Sequence, residues 1–146
     1  MRVREILECC LYAGNLGETA AWYARVLGLA PFSQSHDRHV FFRVGHRCFF
    51  LFDPTATRDA SGTKTNVPTH GAGGEGHVCF AIGADELDAW RGRLSDLKVP
   101  IEREIAWPNG ARSIYVRDPA RNSVELATPS LWNIPESDCF SARSGS

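Results

Sequence analysis

Three polar residues stand inside short apolar runs, where a charge or an imidazole has to earn its place: Glu8 in "ILECCLY", His77 in "GHVCFAI" and Glu125 in "SVELAT". A carboxylate that leaves water is costly unless something pairs with it. Residues of these types carry protons, pair with a base or hold a divalent cation. Strand geometry alternates side chains between two faces. Ile6, Glu8, Cys10 and Tyr12 therefore share a face, as do His77, Cys79 and Ala81, and as do Ser123, Glu125 and Ala127. Val124 and Leu126 take the other side of the last run. Structural readings stand beside these: Glu8 pairing with an arginine such as Arg112, and His77 hydrogen-bonding in a core. Two glutamates together without a cation would repel, and one would need a proton or a base.

Other residues are candidates for a cavity wall. Trp107, Arg112 and Tyr115 lie on or just before the run "RSIYVR" and are expected to bind substrate, with Arg112 suited to an anion or, equally, to a packed salt bridge. His70 reads either as a lid residue or as an exposed loop histidine, and His36, His39 and His46 read as solvent-facing. The five cysteines are odd in number and contain no Cys-x-x-Cys pair, which predicts reduced, mostly buried thiols and no cysteine-built zinc site.

The elements that must position these residues occur twice. "ILECCLY" is a strand, and "LGETAAWYARVLG" is a helix. Asn15 with Glu18 resembles a capping box, and Gly28 ends the helix. Leu16, Ala20, Tyr23 and Leu27 form its expected apolar stripe, and "LAPFS", "HVFFRV" and "CFFLFD" follow as strands. The second half repeats the order. "GHVCFAI" precedes a helix with Leu87, Trp90, Leu94 and Leu97 on one face, and "PIEREI", "RSIYVR" and "SVELAT" complete it. The two units superpose with Glu8 against His77. The expected fold is α+β, two βαβββ repeats in one domain over residues 1–134: repeat one at 4–53, a loop at 54–74 and repeat two at 75–128. The Gly- and Thr-rich loop reads as a mobile lid, and 135–146 as a disordered tail.

Bulk properties narrow the function. With 146 residues, 43% of them hydrophobic, the chain suits one domain with a real core. A net charge of −1 and the lack of a basic run interleaved with aromatics argue against nucleic acid. No apolar stretch is long enough to span a bilayer, and "MRVREILECC" does not read as a signal peptide, so no membrane partner and a cytoplasmic location are expected. Apolar Leu131, Trp132 and Ile134 after the last strand look like interface material and predict a homodimer.

Two βαβββ units with "LGLAPF" after the first helix, "GHVCFAI" opening the second unit and "SIYVRDPARNSVELATP" closing it resemble the vicinal oxygen chelate superfamily. That superfamily holds glyoxalase I, bleomycin-resistance proteins, fosfomycin-resistance thiol transferases and extradiol dioxygenases. The resemblance runs from about Arg4 to Trp132. It implies a half-open mixed-sheet barrel around one divalent metal (Mn, Fe, Ni or Zn), with Glu8, His77 and Glu125 as ligands and Glu8 or Glu125 doubling as proton carrier. The fourth ligand position of glyoxalase I falls in the apolar "CFFLF", leaving three. The implied function is a metal-dependent lyase, isomerase or dioxygenase acting on a small oxygenated substrate. The competing implication is a metal-free protein that sequesters an antibiotic or similar compound. Fosfomycin resistance itself is disfavoured, because "WPNGARS" and "PSLWNIP" lack the lysine and arginine that relatives carry there.

Overall fold

The two repeats become two separate four-stranded sheets in the computed structural model, which describes residues 1–62 and 67–140. Contacts divide the chain into two units, residues 1–76 with 118–122, and residues 77–117 with those from 123 onward.

The first unit contains β1 (Glu8–Tyr12), α1 (Leu16–Leu27), β2 (Pro31–Ser35), β3 (His39–Val44) and β4 (Arg47–Phe52), with the strands in the order β1-β4-β3-β2. β1 runs parallel to β4, and the other pairs are antiparallel. Alternation gives β3 and β4 one buried face, with Val40, Phe42, Phe49 and Leu51 all less than a tenth exposed. Helix α1 covers it: the Tyr23 ring lies 4.9 Å from Phe49 and 6.2 Å from Phe42. The stripe that α1 buries is Leu16, Thr19, Trp22, Tyr23 and Val26 rather than one running through Ala20 and Leu27. Asn15 does not cap the helix backbone; its side chain bonds the side chains of Glu18 and Thr19, which satisfies the buried threonine hydroxyl. Gly28, at φ 69°, ends the helix in the left-handed region that glycine enters without strain.

The turn Asp118–Asn122 belongs to this unit. Tyr23 Oη donates to Asp118 Oδ2 at 3.0 Å, and burial followed by the Asp118 charge pushes the Tyr23 phenol strongly up. Asn122 Nδ2 donates to the Tyr12 carbonyl, and its Oδ1 accepts from Gly76 N. The left-handed residue of the turn is Arg121, at φ 73°.

The segment expected to be a lid carries structure of its own. Asp53 Oδ1 accepts from Thr55 N and Ala56 N and so starts α2 (Pro54–Arg58). A 3-10 turn follows at Ala60–Gly62. Residues 63–66 of the expected lid lie outside the described residues. At the far end His70 N donates to Thr57 O. Gly71 then passes so close to α2 that a Cβ there would stand 2.8 Å from Pro54 O.

The second unit repeats the plan with β5 (His77–Ala81), α3 (Leu87–Asp96), β6 (Arg103–Ala106), β7 (Arg112–Arg117) and β8 (Ser123–Ala127), ordered β5-β8-β7-β6. Its core is Val78, Leu94, Ile114, Val116, Val124 and Leu126. Of the expected α3 stripe only Leu94 is fully buried. Arg91 on α3 grips Glu104 on β6 through Nε and Nη2. Within the tail expected to be disordered, α4 (Glu136–Cys139) forms one helical turn, and Glu136 Oε1 accepts from Ala84 N at 2.9 Å; residues 141–146 lie outside the described residues.

The architecture is thus α+β, two βαβββ modules each with a four-stranded mixed sheet. No helix among the described residues is long and apolar enough to cross a membrane. All five cysteines are free, and none is buried: Cys9, Cys10 and Cys79 are exposed, Cys48 and Cys139 half-exposed. The expectation of buried thiols fails because Cys10 and Cys79 fall on the strand faces that the helices leave open.

Candidate metal centre

Parallel pairing of β5 with β8 sets His77 opposite Ser123 and Cys79 opposite Glu125. This register brings two of the expected ligands together. His77 Nε2 lies 3.3 Å from Glu125 Oε2. His77 is about half exposed, whereas Glu125 is 5% exposed. The other ring nitrogen, Nδ1, is 3.1 Å from the Ser123 carbonyl oxygen. A carbonyl only accepts, so Nδ1 carries the hydrogen. In a neutral imidazole Nε2 then presents its lone pair to a carboxylate. Two acceptors facing each other at 3.3 Å repel unless a hydrogen or a cation lies between them.

The carboxylate is oriented from its other side. Tyr115, on β7, stands opposite Glu125 in the antiparallel register, and its Oη donates to Glu125 Oε1 at 2.8 Å. The Cys79 thiol also bonds Glu125. Its pKa is pushed up to about 12, first by lost hydration and then by the glutamate's charge, so it is a protonated donor and not a thiolate nucleophile. Tyr115 is likewise raised to about 12, first by lost hydration and then through Glu125. The arrangement has the chemistry of a metal-binding pair, an imidazole with its tautomer set by a backbone carbonyl and a carboxylate fixed by outer donors.

The remaining expected site residues are placed as follows. Glu8 opens β1 in the first unit, exposed, and its side chain makes no hydrogen bond or ion pair among the described residues. Its apolar neighbours are not a buried run: Ile6 and Leu7 are 72% and 73% exposed, and only Leu11 is covered. Glu8 therefore has no buried arginine partner. Trp107 reaches the Glu125 face of the second sheet, where its Nε1 donates to Ser113 Oγ at 2.8 Å. Arg112 is not brought to that face. Alternation along β7 puts it with Ile114 and Val116 on the helix side, near Glu104. Among the described residues no group of three or more His, Cys, Asp or Glu is arranged so that it could hold a metal ion. One chain thus shows the His77–Glu125 pair as an assembled unit.

The register also fixes the fourth position, which the sequence left ambiguous. Glu125 pairs with Cys79, two residues past His77; Phe50 pairs with Cys10, two residues past Glu8. Phe50 is the counterpart of Glu125 and offers no donor. Two contacts escaped sequence reasoning. The Ser123 carbonyl has no side-chain signal at all. His70, read as a lid residue or an exposed loop histidine, bonds Tyr12 Oη through Nδ1 at 2.8 Å and sets its ring edge-on to Phe52 at 4.6 Å. Loop residues carry no periodicity from which such a contact could be read.

The fold is that of a paired βαβββ protein, and comparison gives the family. Residues 5–126 match the Glyoxalase/Bleomycin resistance protein/Dioxygenase superfamily, to which the chain belongs. It is similar to the crystal structure of a lactoylglutathione lyase from Agrobacterium tumefaciens, with 38% identity, a TM-score of 0.86, and coverage of 92% of this chain and 100% of that one. A genomically encoded fosfomycin resistance protein from Listeria monocytogenes shares the fold at 20% identity and a TM-score of 0.64, covering 90% of this chain and 98% of that one. A virulence protein from Salmonella typhimurium does so at 19% and 0.67, covering 88% and 98%. No curated protein sequence matches the chain.

Proposed function

We propose that the protein is a divalent-metal-dependent lyase or isomerase acting on a small oxygenated substrate, with His77, Glu125 and Glu8 as the metal's protein ligands. The observation that carries this reading is the acceptor–acceptor contact of His77 Nε2 with Glu125 Oε2, already oriented by Ser123 O and Tyr115 Oη. The similarity to a lactoylglutathione lyase favours lyase chemistry over dioxygenase chemistry. Two carboxylates and one imidazole suit Mn²⁺, Fe²⁺, Ni²⁺ or Zn²⁺. When bound, the metal supplies a Lewis acid that polarises two vicinal substrate oxygens. The chain's own residues divide the remaining work. Glu125 is a holder, since one oxygen accepts from Tyr115 and the other faces His77. Glu8, exposed and without a partner, is the carboxylate free to accept a substrate proton and return it. Trp107 and Tyr115 border the substrate on the second sheet.

The working form is a homodimer of one-domain chains (residues 1–134), supported by exposed Trp132 and Ile134 after the last strand. Five free cysteines fit a reducing cytoplasm. A metal-free sequestering protein is the second reading, favoured by the lack of a three-donor group among the described residues. Thermal unfolding with chelator and with metal separates the two. A metal that binds only the native state adds about 2.7 kcal/mol at about 100 times its dissociation constant. Wild type should gain this increment, and Glu125→Ala and Glu8→Ala should each lose most of it. Without metal, Glu8→Ala should be no less stable than wild type. Unfolding of the wild type that does not respond to any of the four metals would exclude the metal reading.

A further inference from the structure

The face of the first sheet that α1 leaves open carries a cluster of aromatic rings. Alternation assigns to it Glu8, Cys10 and Tyr12 of β1, Cys48, Phe50 and Phe52 of β4, and His39, Phe41 and Arg43 of β3. The rings form a continuous array: His39 stacks on Phe41 at 4.1 Å and Phe41 on Phe50 at 3.8 Å, while Phe52 meets Phe41 edge-on at 5.5 Å. His70 descends from the loop onto Phe52 and Tyr12, held by its Tyr12 bond and by the Thr57 carbonyl. The array is therefore bordered at one end by a hydrogen-bonded Tyr–His pair and at the other by Glu8. Arg43 is the cation that alternation puts on this face, and it is engaged with Cys48 Sγ and the Phe32 ring. A phosphonate or an anionic peptide arm finds no free cation among these residues.

We propose that this face is the binding wall for a planar aromatic group of the substrate, with the Tyr12–His70 pair hydrogen-bonding to a polar substituent at its rim. The inference rests on the reading of Glu8 as a metal ligand. Glu8 pairs in register with Cys48, and Phe50 is the next side chain of β4 on the same face. A substrate held through its oxygens at Glu8 thus meets Phe50 and Phe41 next. Flat rings stack with offset on such an array. A protein partner laid over the same face would instead strand the Glu8 carboxylate away from water.

The test compares two chelators with identical oxygens, benzohydroxamate and acetohydroxamate, by calorimetry on Mn²⁺-loaded protein. Wild type should prefer the phenyl compound by about tenfold. Phe50→Leu, which keeps apolar volume without a ring, and Phe41→Ala should erase that preference and leave acetohydroxamate affinity unchanged. A preference that survives both substitutions, or none in wild type, overturns the proposal. If neither hydroxamate binds, the metal reading has failed, and phenol on chelator-treated protein becomes the probe. Saturation-transfer NMR should then show phenol binding that Phe50→Leu abolishes, and no such binding overturns the wall as well. A dimer that turns monomeric in Phe50→Leu, measured by sedimentation, assigns the face to a second copy and also overturns the proposal.

Discussion

The two repeats place different chemistry at equivalent positions of one scaffold. Across the second sheet the row reads Cys79, Glu125, Tyr115; across the first it reads Cys10, Phe50, Phe41. In one row a tyrosine donates to a carboxylate at 2.8 Å; in the other two phenyl rings stack at 3.8 Å. The helix-facing sides are apolar in both, with buried aromatic rings in the first unit and aliphatic side chains in the second. Duplication thus leaves the inner faces free to diverge. One row can orient a metal ligand while the other offers rings to a substrate, because neither face carries the burden of the core.

Substitutions along the first sheet test that separation most strongly. Phe42→Ala and Phe49→Ala remove rings that are 0% and 1% exposed and should each cost about 3–5 kcal/mol in urea unfolding. Phe50→Ala, on the open face, should cost well under half as much. Equal losses would mean that the aromatic face is core after all.

The next effect contrasts two tyrosine–carboxylate pairs. Tyr23→Phe deletes a buried donor to Asp118 and should lower stability by about 1–3 kcal/mol with or without metal. Tyr115→Phe deletes the donor to Glu125 and should change metal-free stability little, while weakening metal affinity about 10- to 100-fold. A metal-independent loss at Tyr115 would make the second row structural, like the first pair. The smallest effect lies on the outer face. Arg91 holds the Glu104 carboxyl below its ordinary range, chiefly through hydrogen bonds. Stability from this pair is present above the unfolded glutamate value and lost as pH falls through the lower folded one. Arg91→Met should therefore be slightly destabilised near neutral pH, with the difference closing in acid.

Much of this was legible in the sequence, for reasons that the structure makes concrete. Strand alternation and the repeated element order gave both modules, the equivalence of Glu8 and His77, and the face of Glu125. The same alternation, applied to "RSIYVR", would have separated Arg112 from Tyr115, since they stand three residues apart and so face opposite ways. Helix α1 buries Thr19 because a hydroxyl that bonds Asn15 is no obstacle to packing, and composition alone favoured Ala20. The Ser123 carbonyl and the His70–Tyr12 bond were illegible: one is backbone, and the other joins a loop to a strand 58 residues away.

The central claim is that His77 Nε2 is a metal ligand, its tautomer set by Ser123 O and its partner Glu125 held by Tyr115. Pulsed electron paramagnetic resonance on Mn²⁺-loaded protein counts imidazole nitrogens bound directly to the ion. The account predicts one such imidazole in wild type, one in Tyr115→Phe and none in His77→Ala. Bound Mn²⁺ without imidazole coupling in wild type, or coupling that persists in His77→Ala, would contradict it.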